Sequence, residues 1–398
     1  MNPDAREAGP QTLPCVGPGS GRPIASLPVC GPEDVQAAVT RARAAQVEWA
    51  ARPIRERAQV ILALRDRVLE QENELAQLLS MECGKPEIEA YMAEILTFLD
   101  LATYYARRAE RMLAPQPIGL HLLIHRRSYL HYTPRGVIGV ISPWNFPFII
   151  PMGDVVVALL AGNGVVVKPS EQTPLIALKA RDLALDAGVP ADLFQVVTGY
   201  GATGAALTDC VDKVVFTGSV ATGRRVAVAC AERLIPCALE LGGKAPAIVL
   251  PGADLDRAAN ALVWGAFVNS GQVCVSVERV YVHTDLHDAF VEKVVRRAER
   301  LRQGDPRQGT VDVGAIIHPL QLDRAREQVE QAVQAGATVR VGGSQVESEG
   351  DFFQPTVLTG VPQDALVMQQ ETFGPLMPIR GYDTVDEAVQ LANDSHLG

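Results

Sequence analysis

Little in this chain of 398 residues points toward a metal, a membrane or a nucleic acid. No His/Cys cluster has the spacing of zinc ligands, so no metal is expected. The seven cysteines include no C-x-x-C pair, and an odd count suggests reduced thiols in a cytoplasmic protein. Basic residues are outnumbered, 36 Lys and Arg against 46 Asp and Glu, and the net charge of −10 is spread along the chain, which excludes a basic nucleic-acid surface. The most apolar stretch, residues 136–167, is broken by Pro143, Asn145, Pro147, Pro151, Asp154 and Asn163, so it cannot be a continuous membrane helix of about 20 residues. The run Met1–Pro10 lacks the apolar segment of a signal peptide. The run Phe216–Gly223 is not the common G-x-G-x-x-G fingerprint, and internal repeats and low-complexity segments are missing. What remains is an ordinary globular composition, 47% apolar and 21% charged, long enough for two domains.

Residues 1–30 are rich in Pro and Gly and read as an irregular arm. Three helical patterns follow. Pro32 to Ala50 sets Val35, Ala38, Val39, Ala42 and Trp49 on one face, Pro53 to Cys83 continues the helical spacing to a stop at Gly84, and a third runs from Pro86 to about Leu113. Residues 118–133 alternate weakly and read as an exposed ribbon. From Gly136 short apolar runs near 137–141, 164–168, 194–197, 213–216 and 236–240 alternate with helices, the rhythm of a parallel α/β sheet. Thr173-Pro174 has the residue types of a helix N-cap and first turn. A second α/β set begins near Pro246, with a helix from Asp254, a strand at 278–283 and a helix at 286–302; the boundary is expected near Gly242-Gly243.

Four elements hold candidate chemistry. Cys274 follows Asn269-Ser270-Gly271-Gln272-Val273; a thiolate in an exposed loop attacks carbonyl carbon, whereas the other six cysteines read as inert buried thiols. Glu240, in Leu239-Glu240-Leu241-Gly242-Gly243-Lys244, is a carboxylate ending a strand and suits a base that activates water; alone it could be a surface acid. Asn145, in Pro143-Trp144-Asn145-Phe146-Pro147, offers an amide donor for an oxyanion, though a turn asparagine is the plainer alternative. Lys168 in Lys168-Pro169-Ser170-Glu171 ends a strand where α/β sheets bind nucleotides, and the Glu171 charge would repel a 2′-phosphate. Phe216-Thr217-Gly218-Ser219-Val220-Ala221-Thr222-Gly223 leads from a strand into a helix, whose N-terminal N–H groups suit phosphate.

In this order the elements resemble the machinery of the NAD(P)-dependent aldehyde dehydrogenases, from about residue 30 to the end. The resemblance implies a Rossmann-like NAD-binding domain (1–113 and 134–240), an oligomerisation ribbon (114–133) and an α/β catalytic domain (241–398), assembling as a homodimer or homotetramer. It implies attack by Cys274 on an aldehyde to give a thiohemiacetal, hydride transfer to the nicotinamide, and thioester hydrolysis with Glu240 as base. Asn145 and the Cys274 backbone N–H would form the oxyanion hole. Cofactor contacts would come from Trp144, Lys168, Ser170, Glu171, Gly218, Ser219, Gly223, Leu241, Gly242, Glu371 and Phe373, the last two lying in Glu371-Thr372-Phe373-Gly374-Pro375. NAD is expected over NADP because of Glu171. Retention of Glu240 favours the hydrolytic branch over coenzyme A acylation. Val275-Ser276-Val277 resembles branches acting on small aliphatic or semialdehyde substrates. The family pattern continues beyond the equivalent of Gly398, so a fragment or shortened relative is expected. Two alternatives stand beside this reading: an impaired member that keeps the fold or NAD binding, and a cysteine hydrolase pairing Cys274 with His283 or His287.

Overall fold

A computed structural model describes residues 12–122 and 124–397. The chain divides into two compact units. The first holds residues up to Cys15, Ala25–Leu78 and Tyr91–Glu240; the second holds Val16–Ile24, Leu79–Ala90 and Leu241 onward. The division falls at the Glu240–Leu241 bond, while two short segments expected in the first domain, 16–24 and 79–90, join the second unit.

The strands in the first 241 residues are β1 (Thr12–Gly17), β2 (Arg22–Pro28), β3 (Gln116–Ile118), β4 (Ser128–Leu130), β5 (Val137–Ile141), β6 (Gly164–Lys168), β7 (Phe194–Val196), β8 (Lys213–Gly218) and β9 (Cys237–Leu241). The first two correct the expectation of an irregular arm. Prolines mask an alternation in which Leu13, Cys15 and Gly17 are buried while Thr12, Pro14 and Val16 are exposed, the period of a strand. β3 and β4 pair antiparallel within the expected ribbon.

In the first unit β5 to β9 form a sheet in the order β7-β6-β5-β8-β9, with β5, β6, β7 and β8 parallel. β6 is buried at all five positions, as a strand covered on both faces must be, and its Val165-Val166-Val167 run supplies the apolar surface. The helix Pro32–Ala51 buries the predicted face, Val35 to Trp49. The Pro53–Cys83 pattern is two helices, Ile54–Glu70 and Glu72–Cys83, broken at Gln71. The third pattern is also interrupted: a π-helical turn, Ala90–Ile95, precedes Leu96–Met112. Such a turn inserts a residue and re-aims those around it. Here Glu94 is fully buried and accepts the N–H groups of Phe148 (2.8 Å) and Ile149 (3.2 Å), the start of the helix Ile149–Leu160. Thr173 does stand at an N-cap with Pro174 after it, but its side chain makes no cap bond and its buried Oγ1 has no partner among the described residues.

The second unit adds β10 (Pro246–Val249), β11 (Arg279–His283), β12 (Thr338–Val341), β13 (Thr356–Thr359) and β14 (Leu376–Tyr382) in the order β10-β11-β14-β13-β12. β10, β11, β14 and β13 run parallel, and only the edge strand β12 is antiparallel. Two apolar clusters support it: Tyr281, Phe353, Leu358 and Leu376 anchor one, and Phe267, Val280, Val282 and Phe290 the other. Asp254 caps the helix Leu255–Phe267 by accepting from the N–H groups of Asp256 and Arg257. The helix predicted at 286–302 spans Thr284–Ala298. Among the described residues, no helix is long and apolar enough to cross a membrane, and no group of three His, Cys, Asp or Glu could hold a metal ion.

Candidate active site

In the first unit the candidates gather at the carboxyl ends of adjacent strands. Register places Ile141 of β5 level with both Lys168 of β6 and Phe216 of β8. The segments beginning at Ser142, Pro169 and Thr217 therefore leave the sheet side by side. This is the side, near the point where strand order reverses, at which α/β sheets bind ligands. Asn145 is buried and Trp144 half-buried in the first segment. Lys168 is buried; its ammonium donates to Pro169 O (2.7 Å) and lies 3.6 Å from the Glu171 carboxylate. Burial pushes the Lys168 amine below its usual range, and Glu171 opposes that shift. Ser170 is buried, and its Oγ accepts the Gln172 N–H.

Ser219 caps the helix Val220–Glu232, its Oγ accepting from Thr222 N. The Gly223 N–H bonds Ser219 O (2.9 Å) and the Thr222 N–H bonds Ser219 Oγ, so among the described residues the first-turn donors left over are those of Val220 and Ala221. A side chain at Gly218 would run into the Phe216 ring. A buried amine, a ribose-ready carboxylate and a helix N-terminus on one sheet end fit the diphosphate and ribose of a dinucleotide. Glu240 is the penultimate residue of β9, with an exposed side chain.

In the second unit the candidates sit at the opposite, amino ends of the strands. Cys274 is exposed and precedes β11. Its approach is unusually constrained: Asn269 and Ser270 take positive φ (50° and 58°), conformations L-residues adopt only when the surroundings enforce them. The surroundings are polar. Glu89 accepts the Asn269 N–H (2.9 Å), Ser270 Oγ donates to Gly314 O (3.0 Å), and Gln272 donates to Asn269 O (3.0 Å) while accepting from Ile317 N (2.9 Å). Burial raises the Glu89 carboxyl to about 7, against the pull of the Asn269 N–H and Lys85. Gly271 has φ 72°, and a Cβ there would strike the Gly374 carbonyl, so the nucleophile segment lies directly on the Glu371–Pro375 segment.

Those two segments and the one before β10 are joined by buried charges. The Lys244 ammonium meets Glu278 (2.5 Å) and Thr372 Oγ1 (3.1 Å), and the Glu278 carboxylate also accepts the N–H groups of Thr372 and Phe373 (2.9 Å each). Gln321 donates to the carbonyls of the same two residues, at 2.5 and 2.8 Å. Arg279 donates twice to Lys244 O, at 3.0 and 2.7 Å. Burial lowers the Lys244 amine while Glu278 holds it up. Glu371 accepts the Gly243 N–H (3.2 Å), and its carboxylate leaves no room for a side chain at Gly242, next to Leu241. Burial first, then the facing Glu278, raises Glu371 to about 7.

Sequence reading missed Glu278, Gln321, Gln328, Glu89 and Glu94 altogether, and gave Lys244 and Thr372 no role. A signal existed for one pair. Glu278-Arg279 are consecutive charges at the mouth of a strand whose residues 279–282 are all buried, and charges there must be paired. The hydrolase alternative is overturned. His283 stands at the far end of β11 from Cys274, roughly 13 Å of strand away, where it caps the next helix (Asp285 N, 3.3 Å) and packs edge-on against Tyr382. His287 Nδ1 is engaged by Asp288 at 2.9 Å.

The fold and these residues define an α/β protein with a nucleotide-type parallel sheet in one unit and a cysteine nucleophile candidate in the other. The chain belongs to the aldehyde dehydrogenase family, which it matches over residues 5–398. It is 42% identical over 381 residues to a protein of Mycolicibacterium smegmatis provisionally named succinate-semialdehyde dehydrogenase (NADP+), covering 95% of this chain and 74% of that one. The NAD+ complex of an aldehyde dehydrogenase from Bacillus cereus superposes with a TM-score of 0.93 at 35% identity, over 96% of this chain and 79% of that one. An NADP-dependent enzyme of E. coli superposes equally well, TM-score 0.93 at 36% identity, over 97% and 80%.

Proposed function

We propose that this aldehyde dehydrogenase oxidises an aldehyde to the carboxylic acid with a nicotinamide dinucleotide, consuming one water per turnover. The exposed Cys274 at the end of a tightly pinned left-handed turn is the observation that supports this most directly. The Cys274 thiolate adds to the aldehyde carbon, forming a C–S bond and an oxyanion. The Asn145 amide and the Cys274 N–H donate to that oxygen, an arrangement that stabilises charge only as it develops. Bound NAD+ or NADP+ supplies the hydride acceptor. The thioester left on Cys274 is cleaved by water; Glu240 takes the water proton, the C–S bond breaks, and Cys274 is regenerated as the acid leaves.

Lys168, Ser219 and the helix start at Val220 hold the ribose and diphosphate, while Glu371 and Phe373 hold the nicotinamide ribose. NAD+ is preferred on the charge of Glu171, which Lys168 only partly offsets. The relative named for succinate semialdehyde and NADP+ makes that substrate and that cofactor the first comparison to run. The β3–β4 ribbon, exposed along much of both strands, is proposed as an oligomer contact. The test is reduction of each cofactor, followed by absorbance, with aliphatic, aromatic and semialdehyde substrates. Turnover lost in Cys274→Ala supports the reading; turnover that survives it overturns it.

A further inference from the structure

Glu278 has no part in the chemistry just described, yet it is buried and fully engaged four residues past the nucleophile. It grips the peptide that follows Glu371. Both N–H groups of Thr372 and Phe373 point to its two carboxylate oxygens. The matching carbonyls are held by Gln321 from the other side. The gripped segment is one that would not keep its shape unaided, because Phe373 has φ 53°. Thr372 Oγ1 completes the arrangement, accepting from Lys244 (3.1 Å) and donating to Gln328 (2.6 Å).

We propose that Glu278 is a positioning residue for cofactor binding: by fixing the Thr372–Phe373 peptides it aims the Glu371 carboxylate, and so ties the grip on the nicotinamide ribose to the chain that bears Cys274. This rests on the proposed cofactor role of Glu371. It separates Glu278 from an ordinary buried ion pair, which would support the fold without favouring any ligand. The groups facing Glu371 are the anion Glu278, the cations Lys244 and Arg324, and the Gly243 N–H. Glu371 titrates near 7, so ribose hydroxyls meet its ionised, accepting form above that pH and its protonated form below. Removing the Glu278 charge moves that midpoint down.

The experiment is calorimetric binding of NAD+ to the full chain on both sides of neutrality, for Glu278→Gln, Glu371→Gln and the double variant. Gln keeps one acceptor oxygen for Lys244 and the Thr372 N–H but turns an N–H₂ toward the Phe373 N–H. Glu278→Gln is expected to weaken NAD+ above neutral pH about tenfold, shift the acid-side loss to lower pH, and change affinity less than about twofold when Glu371→Gln is already present. Gln321→Leu, which loosens the same peptides from the carbonyl side, is expected to give the same Glu371-dependent loss should Glu278→Gln not fold. Equal losses with and without Glu371, or no loss and no pH shift, overturn the proposal. Unchanged affinity in Glu371→Gln alone removes the cofactor role itself and this proposal with it.

Discussion

The two units solve the same problem, presenting polar groups at a sheet end, in opposite ways. The first uses the carboxyl ends of β5, β6 and β8, where strand register sets Ile141, Lys168 and Phe216 level, so the segments bearing Asn145, Ser170 and Ser219 leave side by side and a helix N-terminus stands ready. The second uses the amino ends of β10, β11 and β14, which are also in parallel register, but its incoming segments bend sharply before they reach the sheet. They are held by Lys244, Glu278, Thr372 and Gln321, and by residues at positive φ. Parallel-sheet topology suffices for a binding edge. A nucleophile placed before a strand needs a buried polar scaffold, and that scaffold is exposed to failure if one charge is removed.

The contrast can be broken most sharply at Cys274, where Cys274→Ala is expected to reduce aldehyde-dependent cofactor reduction to background while NAD+ binding, measured by calorimetry, persists. Lys244→Met comes next. It strands the buried Glu278 carboxylate and should destabilise the protein by about 3–5 kcal/mol in chemical denaturation. Asn145→Ala should lower kcat about 10²–10³-fold with a modest effect on stability, the loss of one oxyanion donor. On the first unit's side, Ser219→Ala removes a long cap bond (3.4 Å) and an exposed bond to Thr222 Oγ1 (3.2 Å), and should cost only about 0.5–1 kcal/mol.

A pH comparison sharpens the same point. The folded Glu89 carboxyl lies at about 7, above its ordinary 4.5, so the native state binds more protons than the unfolded state between those values. Its contribution to stability is complete at low pH and lost as pH rises through 7. Glu89→Gln keeps an acceptor for the Asn269 N–H and removes the charge. Thermal or urea denaturation should show it gaining on the parent protein by on the order of 1 kcal/mol between about pH 5 and pH 8. A gain that shrinks as pH rises would contradict the burial argument.

Much of the first unit was legible because its signals are local. Apolar runs gave β5 and β6 to the residue, and Pro32–Ala51 showed its buried face in its spacing. What failed there were the π-turn that turns Glu94 inward and the β1 strand, whose alternation is unbroken but puts Pro14 on its exposed face. The second unit's motifs named Cys274 and Glu371 but not what holds them. Glu278, Gln321 and Thr372 are distant in sequence and meet only after the sheet forms, so no spacing rule could find them. The pairing that sequence did suggest, Cys274 with His283, fails because both flank one strand from opposite ends.

The central claim is that Cys274 forms a thioester that Glu240 helps water to cleave. The most direct measurement is a rapid-mixing experiment on Glu240→Gln with saturating aldehyde and cofactor. The account predicts one equivalent of reduced nicotinamide per active Cys274 in a burst, then steady turnover slowed about 10²–10⁴-fold. Full steady turnover with no burst would contradict it.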